Sequence, residues 1–174
     1  MTGLVNWKGS TYAFNTGGTG GALDLRDHAI AKLFSCWGMD LGNTRCPDNE
    51  QYYLWATNTR TYLATNPGVN VVIWSWCGQL SYATDANVDQ YLSLMNQLEI
   101  DYPNITFIYM TGHVDQWQKA PTGRVYLNNQ RIRNFCIANN KILFDFADIE
   151  SYDPDGNYYA DKYLGDDGCY DANG

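Results

Sequence analysis

The sequence predicts an α/β domain built on a mostly parallel sheet, and three observations carry that prediction. Val69–Trp76, Ile105–Met110 and Lys141–Phe146 are short apolar runs, and the first two have the near-continuous hydrophobicity of strands buried on both faces. Helical sequence separates each run from the next, and strand–helix–strand connections with helices of ~15 residues join parallel neighbours. Each run also ends in polar, chemically capable residues: Cys77-Gly78-Gln79, Thr111-Gly112-His113 and Ala147-Asp148-Ile149-Glu150. Ligands of open parallel sheets bind beyond the carboxyl ends of the strands, so Cys77, Gln79, His113 and Asp148 are expected along one rim.

Residues 1–21 read as irregular, ending in Gly17-Gly18-Thr19-Gly20-Gly21. No apolar strand precedes these glycines and no Gly-Lys-Ser/Thr follows, so they read as a turn and not as a phosphate loop. Ala22 to about Ser35 is expected to be a helix, with Leu23, Ile30, Leu33 and Phe34 apolar and Asp24 and Asp27 in its early turns. Cys36 to Pro47 is a loop. Asp48 is placed as the cap of a second helix running to about Thr65, which Asn66-Pro67-Gly68 stops. After the first strand, Asp85 is placed as the cap of an amphipathic helix carrying Val88, Tyr91, Leu92, Met95 and Leu98 at helical spacing. Tyr102-Pro103-Asn104 ends it. A polar loop over 113–122 follows the second strand, then a helix from about Gly123 to Asn139 with Val125, Leu127, Ile132, Phe135 and Cys136. Residues 151–174 read as an irregular acidic tail, and 1–174 as a single domain.

The chain has 174 residues and a formal net charge of −8. That charge argues against nucleic acid and against an anionic membrane surface, both of which require a basic face. No stretch approaches the ~20 apolar residues of a membrane span, and no signal-peptide pattern stands at the start. Six Trp, fourteen Tyr and six Phe make up 15% of the chain, residues that serve clefts as well as cores. Few Lys with many Asn, Gly, Tyr and Thr points to a secreted protein. Five cysteines forbid complete internal pairing. Cys36–Cys46 and Cys136–Cys169 are candidate disulfides that leave Cys77 free; the alternative is that all five are reduced, several as small core residues. Asp153-x-Asp155-Gly156-Asn157 has part of a calcium-loop pattern but lacks its distal Glu, and Asp-Pro-Asp-Gly is a strong turn sequence. No metal or cofactor is expected.

The blocks Val72–Gln79, Tyr109–His113 and Leu143–Gly156 together resemble a mostly secreted bacterial branch allied with the SGNH (GDSL-like) hydrolases, over about residues 66–171. The resemblance implies a flavodoxin-like, three-layer αβα sandwich and an ester hydrolase acting on a small-molecule or carbohydrate ester. Its catalytic set is incomplete here. There is no Gly-Asp-Ser; Gly9-Ser10 is the nearest pair, with no strand leading into it. The Gly-x-Asn-Asp block falls near Cys77-Gly78-Gln79, where Gly78 and Gln79 stand as oxyanion-side groups. The Asp-x-x-His block falls near Asp166–Cys169, with Cys169 in the histidine's place. His113 is then the candidate base, Asp148 a supporting carboxylate, and Ser10, Ser75 or Cys77 the nucleophile. Trp117, in the loop after His113, is the candidate ligand-facing aromatic. The competing expectation is a non-catalytic module that binds a glycan or assembles with copies of itself through an open sheet edge.

Overall fold

The structure, a computed structural model, describes residues 13–26, 53–76, 78–114, 121–153 and 155–158. Its contacts group the chain into two units, residues 1–33 and 34–174.

In the first unit the chain makes a tight loop closed by a parallel bridge between Phe14 and Leu23. The Asn15 side chain holds the loop at both main-chain polar groups of Thr19: Oδ1 accepts its N–H at 2.9 Å and Nδ2 donates to its carbonyl at 3.0 Å. Gly17, Gly18, Gly20 and Gly21 all have positive φ, the backbone that glycine alone adopts without cost. The helix expected from Ala22 does not begin there. Leu23 pairs with Phe14, and Asp24 accepts the Gly17 N–H at 3.1 Å and pairs with Arg26. The local bonds of Asp24 thus close the glycine turn, whereas the sequence reading placed it in a helical first turn. Residues 27–35 of that predicted helix lie outside the described residues.

The second unit is α/β. Among the described residues it holds α1 (Leu54–Thr65), β1 (Val71–Trp74), α2 (Asp85–Asp101), β2 (Thr106–Met110), α3 (Arg124–Ala138), β3 (Leu143–Phe144) and α4 (Phe146–Ser151). A 3₁₀ turn at Gly78–Ser81 lies between β1 and α2. The strands form a parallel sheet in the order β1-β2-β3, with Val72 opposite Phe107, Trp74 opposite Tyr109, and Met110 opposite Phe144.

The helices follow from local chemistry. Thr84, and not Asp85, caps α2: its hydroxyl accepts the Asn87 N–H while the Asn87 side chain accepts the Thr84 N–H, a reciprocal capping box. Asp85 occupies the first turn and pairs with Arg124 and Arg131 across to α3. Arg131 also makes two bonds of 2.6 Å to Asp89. Arg60 joins α1 to α2 through Asp101.

Aromatic rings fill the space between the sheet and these helices. Trp55 of α1 stacks on Trp74 of β1 with centroids 4.3 Å apart, and Tyr91 of α2 contacts Trp74, Trp76 and Tyr109. Phe135 of α3 meets Tyr109. The Tyr91 hydroxyl donates to the Trp74 carbonyl at 3.1 Å and accepts the Met110 N–H at 3.4 Å, so it spans β1 and β2 near their carboxyl ends. Burial pushes this phenol well above its ordinary pKa. The helices α1, α2 and α3 therefore all pack on the face carrying Val72, Trp74, Phe107 and Tyr109. The opposite face is apolar yet open, with Val71 and Ile73 each 47% exposed and Phe144 40%. The expectation of strands buried on both faces thus holds for one face among the described residues.

One further expectation is corrected, at the third strand, and the turn expected from Asp153 is present. The third strand ends at Phe144, because Asp145 turns the chain by accepting the Asp148 N–H and opening α4. Asp153 accepts the Asn157 N–H at 2.7 Å and its carbonyl accepts that of Gly156, making a turn that closes a Tyr152–Tyr158 bridge. Cys136 is a buried free thiol in α3, in keeping with a small core residue. Burial pushes its pKa up to about 11, so it is protonated at neutral pH. The other four cysteines lie outside the described residues.

Trp55 is fully buried and joins α1 to the sheet. Trp55→Ala should lower stability by about 3–5 kcal/mol in urea melts; a loss below about 1 kcal/mol would contradict this packing. Cys136 should resist alkylation at pH 8 in the native protein and react once the chain is unfolded in urea.

Candidate functional site

The carboxyl ends of the three strands meet, and β2 supplies the meeting point. Two residues past the end of β2, Gly112 lies so close to the 3₁₀ turn that an added Cβ would come within 2.7 Å of Leu80 Cδ2. Asn129, buried in α3, grips the Gly112 backbone twice: its Oδ1 accepts the Gly112 N–H at 2.9 Å and its Nδ2 donates to the carbonyl at 3.1 Å. Asn128, one residue earlier, donates to the Leu80 and Ala83 carbonyls at 2.8 and 2.9 Å. Two adjacent asparagines on one helix thus fix both loops of the rim.

Thr111 ties β2 to β3 and α4. Its hydroxyl donates to Asp145 Oδ1 at 3.0 Å and accepts the Ala147 N–H at 2.9 Å. Asp145 is also held by Arg133, Nε at 2.6 Å and Nη2 at 2.8 Å, a two-point carboxylate clamp. Burial pushes the Asp145 carboxyl up, but the bonds and charge of Arg133, with the Thr111 hydroxyl and the Asp148 amide, hold it below its ordinary pKa.

His113 follows Gly112 and is half-buried. Its Nδ1 lies 3.2 Å from the Val114 carbonyl. A carbonyl only accepts, so this contact requires a proton on Nδ1, and in the neutral ring Nε2 carries the lone pair. The next amide, Val114 N–H, donates to Glu150 Oε2 at 2.8 Å. Glu150 is therefore the α4 carboxylate that reaches the His113 loop, while Asp148 is exposed on the first turn of that helix.

Ser75 lies just past β1. Its hydroxyl is 2.8 Å from the Trp76 carbonyl and 3.3 Å from the Thr111 carbonyl, so its proton is directed at main-chain oxygen. Because β1 ends at Trp74, the alternation that would place Ser75 and Cys77 on one side does not extend to them. Gly78 opens the 3₁₀ turn. Gln79 is 6% exposed, and its Oε1 is buried without a hydrogen-bond partner among the described residues. Ser10, Cys77 and Trp117 lie outside the described residues. The sheet thus gathers Ser75, Gly78, Gln79 and His113 at one end. The sequence reading missed Asn128 and Asn129 and named Thr111 and Glu150 only as members of the strand-end clusters; all four hold this end together. Asn128 and Asn129 left one signal: they fall between Val125 and Ile132 in α3, polar residues at core spacing.

A groove of about 340 Å³ between α2 and α3, lined by Asp89, Leu92, Ser93, Asn96, Phe135 and Asn139, shares no residue with this rim. No described group of His, Cys, Asp and Glu could hold a metal ion. No helix among the described residues is long and apolar enough to cross a membrane. No family model, curated protein or solved structure matches the chain.

A carboxyl with a lowered pKa stabilises the fold above its unfolded value, about 3.9, and that stability is lost as pH falls through the folded value. Asp145→Asn should therefore cost about 1.5–3 kcal/mol at pH 7 and lose less further stability than wild type between about pH 4 and pH 2. Parallel acid limbs in urea melts of the two proteins would contradict the Arg133–Asp145 assignment. Gly112→Ala should cost about 1–3 kcal/mol through the Leu80 clash, with part of it regained in Gly112→Ala/Leu80→Ala; a cycle with no coupling would contradict the close approach.

Proposed function

We propose that the chain is an SGNH-like ester hydrolase with an altered catalytic set, acting on a small-molecule or acylated carbohydrate ester outside the cell. In this reading the second unit is a flavodoxin-like, three-layer sandwich, and the rim beyond its strands is the active site. The observation that carries the reading is the position of His113: a histidine past the central strand, on a loop fixed by Asn129. A base accelerates ester hydrolysis by taking the proton of the attacking hydroxyl, thiol or water. Gly78 and Gln79 lie on the oxyanion side. Glu150, through the Val114 amide, is better placed than Asp148 to support the histidine loop. The nucleophile is one of Ser10, Ser75 or Cys77, or a water molecule. Of these, Ser75 directs its proton to carbonyls rather than to a histidine, and needs a rotamer change to react.

That same bond favours a second reading, a non-catalytic module of the same fold that binds a glycan or pairs with its own copies. The missing Gly-Asp-Ser and the cysteine at 169 support it as well.

The two readings separate in an assay of the full chain on nitrophenyl acetate and acetylated sugars. The hydrolase reading expects turnover by wild type and a loss of about 10²–10⁴-fold in His113→Ala. A folded wild-type protein without turnover would overturn it, and equal turnover in the two proteins would remove His113 from the mechanism.

A further inference from the structure

We propose that the groove between α2 and α3 is a binding site for one unit of a neutral carbohydrate, with Phe135 as its apolar wall and Ser93, Asn96 and Asn139 as its hydrogen-bonding groups. The site lies away from the rim and stands whether or not the rim hydrolyses esters.

The groove is tied at both ends. Asp89, Leu92, Ser93 and Asn96 fall at i, i+3, i+4 and i+7 and form one stripe of α2, while Phe135 and Asn139 line the groove from α3 and its end. At one end Arg131 of α3 clamps Asp89 and reaches Asp85, one turn earlier. At the other end Lys141, just past α3, bonds both Asn96 and Glu99. Between these ties stands Ser93, whose short side chain leaves the seam unfilled, and the space is about 340 Å³. That volume falls within the ~300–1,000 Å³ of small-ligand sites. A cleft tied across both ends is largely preformed, so binding requires little further ordering.

The polar groups of the groove have a fixed sense. The Lys141 ammonium only donates, so Asn96 gives it Oδ1, at 2.7 Å, and keeps Nδ2 as a donor. The Phe135 carbonyl only accepts, so Asn139 gives it Nδ2, at 2.8 Å, and keeps Oδ1 as an acceptor. The Ser93 hydroxyl does both, and it bonds to no described residue. One donor, one acceptor and one hydroxyl thus line the same groove, beside the Phe135 ring and the buried Leu92. The charges around it are already matched, Asp89 with Arg131 and Glu99 with Lys141. A charged ligand would have to break one of those pairs, and a wholly apolar one would strip water from three polar side chains. A pyranose avoids both costs: each hydroxyl donates and accepts, and its C–H face packs on an aromatic ring.

The test is amide NMR of the full chain titrated with cellobiose, xylobiose, mannobiose and chitobiose. At least one should bind wild type saturably and shift the Ser93, Asn96 and Asn139 signals. Ser93→Leu fills the groove from an exposed helical position, so it should fold as wild type does and weaken binding at least about tenfold. Asn139→Ala removes the acceptor and should weaken binding about tenfold. The site is overturned if none of the four sugars binds, or if Ser93→Leu binds as tightly as wild type. It is also overturned if binding shifts Gly78, Gln79 and Gly112 and leaves the groove signals unmoved, because the sugar is then at the rim. Groove binding without turnover of nitrophenyl acetate would leave this site and remove the hydrolase reading; turnover without sugar binding would do the reverse.

Discussion

Thr111 and Gly112, immediately past β2, bond or pack against every other segment of the rim: Asp145 and Ala147 after β3, Leu80 after β1, and Asn129 on α3. These contacts demand two particular residues. A side chain at 112 would collide with Leu80, and position 111 needs a hydroxyl that both donates and accepts within a site with no exposed surface. Buried polar groups are costly unless satisfied, so this junction works as a unit. With Asn129 holding Gly112 and Arg133 holding Asp145, the carboxyl ends of three strands become one surface. His113 is placed by that surface because it is the next residue along the chain.

The aromatic layer behind the sheet performs a different task. Trp55, Trp74, Tyr91, Tyr109 and Phe135 carry contacts from α1 through the strands to α3. Their large apolar area stabilises the helix-covered face, while the Tyr91 hydroxyl satisfies main-chain groups on β1 and β2. Ion pairs such as Arg131–Asp89 lie on the outside, where such pairs contribute about 0–1 kcal/mol each. The apolar face holds the sheet to its helices, and the polar junction at the strand ends fixes the rim.

The parallel sheet was legible because its signal is local and repeated: apolar runs separated by helical periods. The boundaries of α2 and α3 followed from the spacing of Val88, Tyr91, Leu92 and Met95 and of Val125, Ile132 and Cys136. The failures share a cause. Asp24, Asp85 and Asp145 are all acids whose roles are decided by which donor lies nearby: a glycine amide, two arginines on another helix, and an arginine with a threonine. Spacing along the chain does not reveal such partners. The same holds for the site. His113 could be singled out because it ends a strand, whereas Asn129 and Glu150 act through main-chain groups 17 and 36 residues away. The open face of Val71, Ile73 and Phe144 was misread because an apolar run reports how hydrophobic a strand is, not which side the helices cover.

The claim that the Thr111 hydroxyl joins β2 to the start of α4 is tested most directly by amide hydrogen exchange in Thr111→Val, which keeps the shape and removes the hydroxyl. The Ala147 N–H loses its acceptor and Asp145 loses one donor, a change of about 1–3 kcal/mol at a buried polar group. Exchange at Ala147 and Asp148 should therefore quicken about tenfold or more, spreading to Val114 if Glu150 shifts with α4. Wild-type protection at Ala147 in the folded variant would contradict the account.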